Sequence, residues 1–220
     1  MRRSPLAPLE IVCIPNGAFS ENCYLVADRE TRDVVMIDPG EEAPVFLRRV
    51  AMEEWNLNAI WLTHAHLDHI AGVAHVVRET GVPVHLHPDD RELYDNVAAQ
   101  ASWLGLSVET PPAPDVEFAA DDTVSVGTCT FAVRLVPGHS PGSVAFVGHG
   151  IAIVGDALFA GSVGRVDLPG GDGPTLLQSI QNELLSLPDD TVVYPGHGPS
   201  TLIGTERAQN PFLTGAYPLG

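Results

Sequence analysis

Thr63-His64-Ala65-His66-Leu67-Asp68-His69 constrains this chain more than any other stretch. Three histidines and an aspartate fall within six residues, directly after the apolar run Ala59-Ile60-Trp61-Leu62, which reads as a strand. Imidazole is the commonest side-chain metal ligand, and carboxylate is a good partner for it. His64 and His66 are two apart, so in extended or loop backbone they point the same way. Asp68 and His69 are adjacent and point elsewhere. One short loop can thus serve two metals, His64 and His66 facing one, Asp68 and His69 the other.

Further candidates lie far along the chain, each where a strand reading stops. His139 follows Arg134-Leu135-Val136 in Pro137-Gly138-His139-Ser140-Pro141-Gly142. Asp156 follows Ile153-Val154, and His197 follows Val193-Tyr194. Loops at one edge of rigid sheets are where ligands from distant segments converge.

The run His64-x-His66-x-Asp68-His69, with His139, Asp156 and His197 in order behind it, resembles the signature of the metallo-β-lactamase-fold hydrolases. The likeness covers nearly the whole chain. It implies an α+β fold, a four-layer αββα sandwich, over residues 1–220 as a single domain. It assigns His64, His66 and His139 to one metal, Asp68, His69 and His197 to the other, and Asp156 as the bridge. Two divalent ions are then expected, zinc first, with iron or manganese as alternatives. Such a pair, about 3.5–4 Å apart, shares a water. Metal binding lowers that water's pKa to roughly 7, and the bridging hydroxide attacks a carbonyl. Asp68 and Asp156 are the catalytic carboxylates on this reading.

The loop from Gly161 to Asp172 and the ending Glu206-Arg207-Ala208-Gln209-Asn210-Pro211-Phe212 resemble those of short glyoxalase II-type proteins, which hydrolyse glutathione thioesters such as S-D-lactoylglutathione. The longer enzymes of that type hold the glutathione carboxylate with a Lys and a following Tyr. Here Arg165 supplies the charge and no Tyr follows, so Arg165 is the expected substrate contact, with an ion pair to Asp167 as its alternative role. Mononuclear iron persulfide dioxygenases share the fold and a similar loop, and their iron ligands match His64, His139 and Asp156. They are the rival reading, followed by hydrolysis of a lactone or other ester. Asp38, at the end of Val34-Val35-Met36-Ile37, reads either as a turn residue or as a group that orients a ligating histidine.

Composition narrows the partners. The net charge is -17 with only 11 Lys plus Arg, which argues against nucleic acid and anionic membranes; the small-molecule thioester expected as partner is what the resemblance implies. Oligomeric state is not readable. No apolar run is long enough to span a membrane. The start, Met1 to Pro8, lacks the apolar stretch of an export signal. Cys13, Cys23 and Cys129 have no metal-type spacing, so reduced thiols and a cytoplasmic location are expected.

Helices are expected from Pro44 towards Trp55 with Val45, Phe46, Arg49 and Val50 as its stripe. Others are expected over Ile70–Thr80, over Asp89–Gln100 with Asp89 as cap, from Pro174 with Leu176, Ile180 and Leu184 inward, and over Thr205–Gln209. The Pro-rich run Thr110–Pro114 is expected to join the two halves near residues 110–115. Val192-Val193-Tyr194 reads as the last strand. His75, His85, His87 and His149 are left outside the site.

Overall fold

The computed structural model describes residues 8–219. Most of the amino-terminal stretch read for an export signal therefore lies outside the described residues. The first half begins with β1 (Leu9–Asn16), β2 (Glu21–Asp28) and β3 (Asp33–Ile37), followed by α1 (Ala43–Met52) and β4 (Asn56–Trp61). Then come α2 (Leu67–Ile70), α3 (Val73–Thr80), β5 (Val84–Leu86), α4 (Arg91–Asp95), α5 (Val97–Trp103) and β6 (Val116–Glu117). The second half is β7 (Thr123–Val126), β8 (Cys129–Leu135), β9 (Val144–Gly148), β10 (Ile151–Gly155), the small hairpin β11 (Leu158–Phe159) and β12 (Ser162–Val163), α6 (Gly173–Ser179), β13 (Val192–Pro195), β14 (Thr201–Leu202) and α7 (Ile203–Gln209).

Two six-stranded mixed sheets result, in the orders β1-β2-β3-β4-β5-β6 and β14-β13-β10-β9-β8-β7. β3 to β6 run parallel to one another, and β10 pairs parallel with β13. The other pairings are antiparallel. The chain passes between the sheets after Glu117, a few residues beyond the Pro-rich run.

The layering follows from the two-residue period of strands. In β2, Cys23, Leu25 and Ala27 face one core and Tyr24 and Val26 face another. β3 repeats this with Val34 and Met36 against Val35 and Ile37. The first core packs under Phe46 of α1, Val73 and Val76 of α3, and Val97 and Ala101 of α5. The second lies between the sheets, where Trp61 meets Phe131 and Phe146 at ring-centroid distances of 6.2 and 5.1 Å. A third joins Ala152 and Val154 of β10 to Leu176, Ile180 and Leu184. Helix, sheet, sheet and helix are therefore stacked in four layers around three cores. The central strands are buried on both faces, so they read as continuous apolar runs.

Several local expectations change. The helix read over Ile70–Thr80 is two helices, broken at Gly72. The Gly72 amide donates to the Pro39 carbonyl at 2.9 Å, and a Cβ there would collide with the Gly40 carbonyl. The segment starts earlier, at Leu67, so Asp68 and His69 stand on a helical turn and only His64 and His66 on a loop. Asp89 is not a cap: the His87 side chain accepts from the Asp89 amide, and a break at Asn96 separates α4 from α5. Val45 is exposed, and the buried face of α1 is Ala43, Phe46 and Val50. β14 follows the strand read as last.

Candidate metal centre

His64, His66, Asp68, His69, His139, Asp156 and His197 converge at one edge of the two sheets. One ligand atom each from His64, His66 and His139 lie within 4.8 Å of one another, and so do those of Asp68, His69 and His197. Asp156 sits between the triads. Its Oδ2 is 3.5 Å from Nε2 of both His139 and His197, and its Oδ1 is 3.5 Å from His69 Nε2. Asp68 Oδ2 lies 3.2 Å from His197 Nε2.

The outward nitrogens of four histidines are all engaged. His69 Nδ1 meets Asp38 Oδ2 at 3.0 Å, His139 Nδ1 the Arg165 carbonyl at 2.8 Å, and His197 Nδ1 the Phe19 carbonyl at 3.1 Å. Carbonyls and carboxylates only accept, so each Nδ1 carries a proton and each Nε2 faces inward, where it offers a lone pair to a cation whenever the ring is neutral. His64 follows by elimination. The Thr63 hydroxyl gives its proton to Asp38 Oδ2 at 2.5 Å, so at 3.1 Å from His64 Nδ1 it accepts. His66 differs: its Nδ1 faces His139 Nε2 at 2.8 Å. Two such nitrogens share either a proton or a cation.

The donor set fits metal. Among the described residues, Nε2 of His64, His66 and His69 and Oδ1 of Asp156 are buried without a hydrogen-bond partner. Buried polar atoms are otherwise nearly always paired, and leaving one unpaired costs about 1–3 kcal/mol. Four orphans directed into one space mark a cation site.

Electrostatics divides the cluster. Burial, reinforced by the neighbouring imidazoles, holds His64 well below its ordinary pKa and His66 down at about 3. Burial also works against charge on His197 and His69, but Asp156 and Asp68 outweigh it. His197 rises to about 10 and His69 lies well above the usual range. Burial would raise Asp156, yet His69 and His197 bring it well below the carboxylate range.

Asp38 has both oxygens engaged by Thr63 and His69. It satisfies the distance rule for a third set with His64 and His69, but Oδ1 already accepts the Thr63 amide at 2.7 Å, and Oδ2 accepts the Thr63 hydroxyl and His69. Its backbone sits at φ 52, a left-handed conformation that non-glycine residues adopt where surroundings enforce it.

Sequence reasoning missed three supports. Asp90, fully buried, accepts from the Ala65 amide at 2.9 Å, the Ser140 hydroxyl at 2.8 Å and the Gly142 amide at 2.6 Å. It thereby ties the His64–His66 loop to the His139 loop. Gln100 holds the same loop from α5, donating to the Ala65 carbonyl and accepting from the Leu67 amide, both at 3.0 Å. Glu21, also buried, accepts from Asn16 at 2.6 Å and lies 3.8 Å from His69 Nδ1. A signal for Asp90 existed: with Tyr94, Val97 and Ala101 it occupies a buried helical stripe where an unpaired carboxylate would be costly.

β2 fixes the last ligand. The Asn22 amide donates to the Gly196 carbonyl at 2.8 Å, its side chain to Pro195 and Gly198, and the Tyr24 hydroxyl to Pro195 at 2.6 Å. Gly196 has no substitute here, because a Cβ would strike Asp156 Oδ1 and His69.

The cluster floors a cleft of about 980 Å³. Arg165 lines it, with its guanidinium engaged by Asp167 through two bonds of 2.7 and 2.8 Å. His75 pairs with Arg78, His85 packs on Phe118, and His149 lies at the exposed β9–β10 turn.

Known proteins are similar to this chain over most of its length. Hydroxyacylglutathione hydrolase GloC of Haemophilus influenzae is 37% identical, over 93% of this chain and 98% of that protein. The crystal structure of the BLEG-1 B3 metallo-beta-lactamase superposes with a TM-score of 0.88 at 38% identity, covering 93% of this chain and all of that one. TTHA1623, solved in a di-iron-bound form, gives 0.85 at 43%, covering 92% and 100%. The Metallo-beta-lactamase superfamily pattern matches residues 16–197, so it spans every side chain of the cluster bar none. With fold, donor set and relatives in agreement, this chain belongs to the metallo-β-lactamase superfamily and is a metallo-hydrolase of that kind.

Proposed function

We propose that this metallo-hydrolase cleaves a thioester, in the manner of the glyoxalase II type, at the seven-residue cluster. The observation that carries this reading is the set of buried, unpartnered ligand atoms at the floor of a cleft large enough for a substrate. The relative named as a hydroxyacylglutathione hydrolase supports the thioester over other carbonyls. Two divalent ions held by the triads, with Asp156 between them, would supply a hydroxide near neutral pH and polarise the carbonyl. Zinc is the first choice; the relative described as di-iron-bound supports iron as the alternative.

The chain's own residues do the rest. Asp68 lines the cleft and accepts a hydrogen bond from the attacking water, which orients it. Asp38, the Arg165 carbonyl and the Phe19 carbonyl keep Nε2 of His69, His139 and His197 inward. Arg165 is the cation available to a substrate carboxylate. Its partner Asp167 is exposed, and an exposed pair is held weakly against water, so a substrate carboxylate can displace it.

The test is turnover of S-D-lactoylglutathione and of neutral acyl thioesters by protein loaded in turn with zinc, iron and manganese. Thiol release without oxygen uptake is the expected result. Oxygen uptake on glutathione persulfide, with one iron per chain, would establish the dioxygenase reading in its place.

A further inference from the structure

The walls of the cleft are unlike each other. One part of the lining is the loop carrying Arg165 and the hairpin bearing Phe159. Another is α5, whose core face, Val97 and Ala101, is already buried. Its outer end presents Trp103 and Leu104, 72% and 53% exposed, into the cleft. Packing of the helix does not require a tryptophan there. Adjacent in sequence and both lining the cleft, Trp103 and Leu104 offer an apolar surface that a ligand can cover.

The charges on this wall point the same way. The acidic side chains lining it are Asp89 and Glu92, both exposed. Among the described residues that line the cleft, Arg165 is the only Lys or Arg, and it stands on the loop from Gly161 to Asp172 rather than on α5, paired with Asp167. A carboxylate or phosphate laid along α5 would meet two like charges and no cation. An uncharged apolar group would cover Trp103 and Leu104 without that repulsion.

We propose that the substrate has one bulky, apolar, uncharged arm, which packs along α5 on Trp103 and Leu104, while any carboxylate it carries is confined to the Arg165 side. This rests on the thioester-hydrolase reading. It distinguishes the preferred substrate from a short hydroxyacyl ester of glutathione, which has no apolar arm at either end.

The metal-loaded protein is compared on lactoyl and hexanoyl thioesters, each made with glutathione and with neutral N-acetylcysteamine. An apolar arm should raise kcat/KM by about tenfold or more, and Trp103→Ala should remove that gain through KM with kcat unchanged. The same variant should change lactoylglutathione turnover by less than about twofold. Asp89→Asn/Glu92→Gln should leave hexanoyl substrates unaffected and improve those with a charged acyl chain, such as a succinyl thioester. S-hexylglutathione, which cannot be cleaved, should quench a part of the tryptophan fluorescence that is absent in Trp103→Ala. Equal rates for lactoyl and hexanoyl esters, or a hexanoyl preference that survives Trp103→Ala, would overturn the proposal while hydrolysis itself stands. If no thioester is cleaved, the hydrolase reading fails, and the fluorescence titration alone decides whether α5 carries an apolar site.

Discussion

The two triads are built from similar residues but hold opposite electrostatic states. His64, His66 and His139 form a dry set, in which burial and the neighbouring imidazoles keep protons off His64 and His66. Asp68, His69 and His197 form a charged, partly open set, in which carboxylates outweigh burial and draw positive charge onto the rings. The supports differ to match. The first triad hangs on Asp90, which joins two loops through backbone amides and a serine. The second hangs on Asp38 and on β2, which clamps the His197 loop. Ligand type alone therefore does not make two equal sites. His64 and His66 offer lone pairs outright, whereas His69 and His197 offer theirs only on giving up a proton, beside carboxylates that supply negative charge for a cation.

The largest effect is expected where the two triads meet. Asp156→Ala should empty both, since its oxygens lie 3.5 Å from nitrogens of each. Metal analysis should fall towards zero, and turnover by roughly 10³-fold or more, beyond the loss of a single charge-stabilising group. His66→Ala should separate the triads. Metal content should drop to about one ion per chain, held by the Asp68 set.

Asp38→Asn tests the support of the charged triad. One amide oxygen cannot accept from the Thr63 amide, the Thr63 hydroxyl and His69 together. Affinity for the second ion should weaken by about 10–100-fold while the first ion stays. Equal weakening of both would remove the distinction between the supports.

Much of this was legible because ligand chemistry is written in residue type. Histidine and aspartate at two-residue and adjacent spacings after a strand leave few structural alternatives, and His139, Asp156 and His197 each end a readable strand. Asp90, Gln100 and Glu21 were not legible as parts of a site. An aspartate two residues after Pro88 looks like any capping residue; its place on a buried stripe signals only that it needs partners, and those lie 25 to 52 residues away in sequence. The break at Gly72 was hidden for the same reason: it comes from backbone contact with Pro39 and Gly40, not from anything local. The α5 wall escaped notice because Trp103 ends a plausible helix, and only the fold reveals that it faces the cleft.

The smallest expected effect concerns acid and base stability of the metal-free protein. His66 folds with a pKa of about 3 against an ordinary 6.5. Between those values the unfolded chain binds a proton that the folded one refuses, so this group lowers stability as pH falls through that window. His197 has the opposite sign. With a folded pKa of about 10, its contribution is complete below pH 6.5 and is lost as pH rises towards 10. Denaturant titrations of chelated protein should show His66→Ala relieving the acid loss and His197→Ala relieving the alkaline one. Identical pH profiles for the two variants would mean that the triads are electrostatically alike.

The most direct measurement is anomalous diffraction at the zinc, iron and manganese edges, on crystals of protein purified without added metal. Two peaks are predicted, one among His64, His66 and His139 and one among Asp68, His69 and His197, with Asp156 reaching both. A single peak held by His64, His139 and Asp156 alone, with Asp68, His69 and His197 free of metal, would contradict the account.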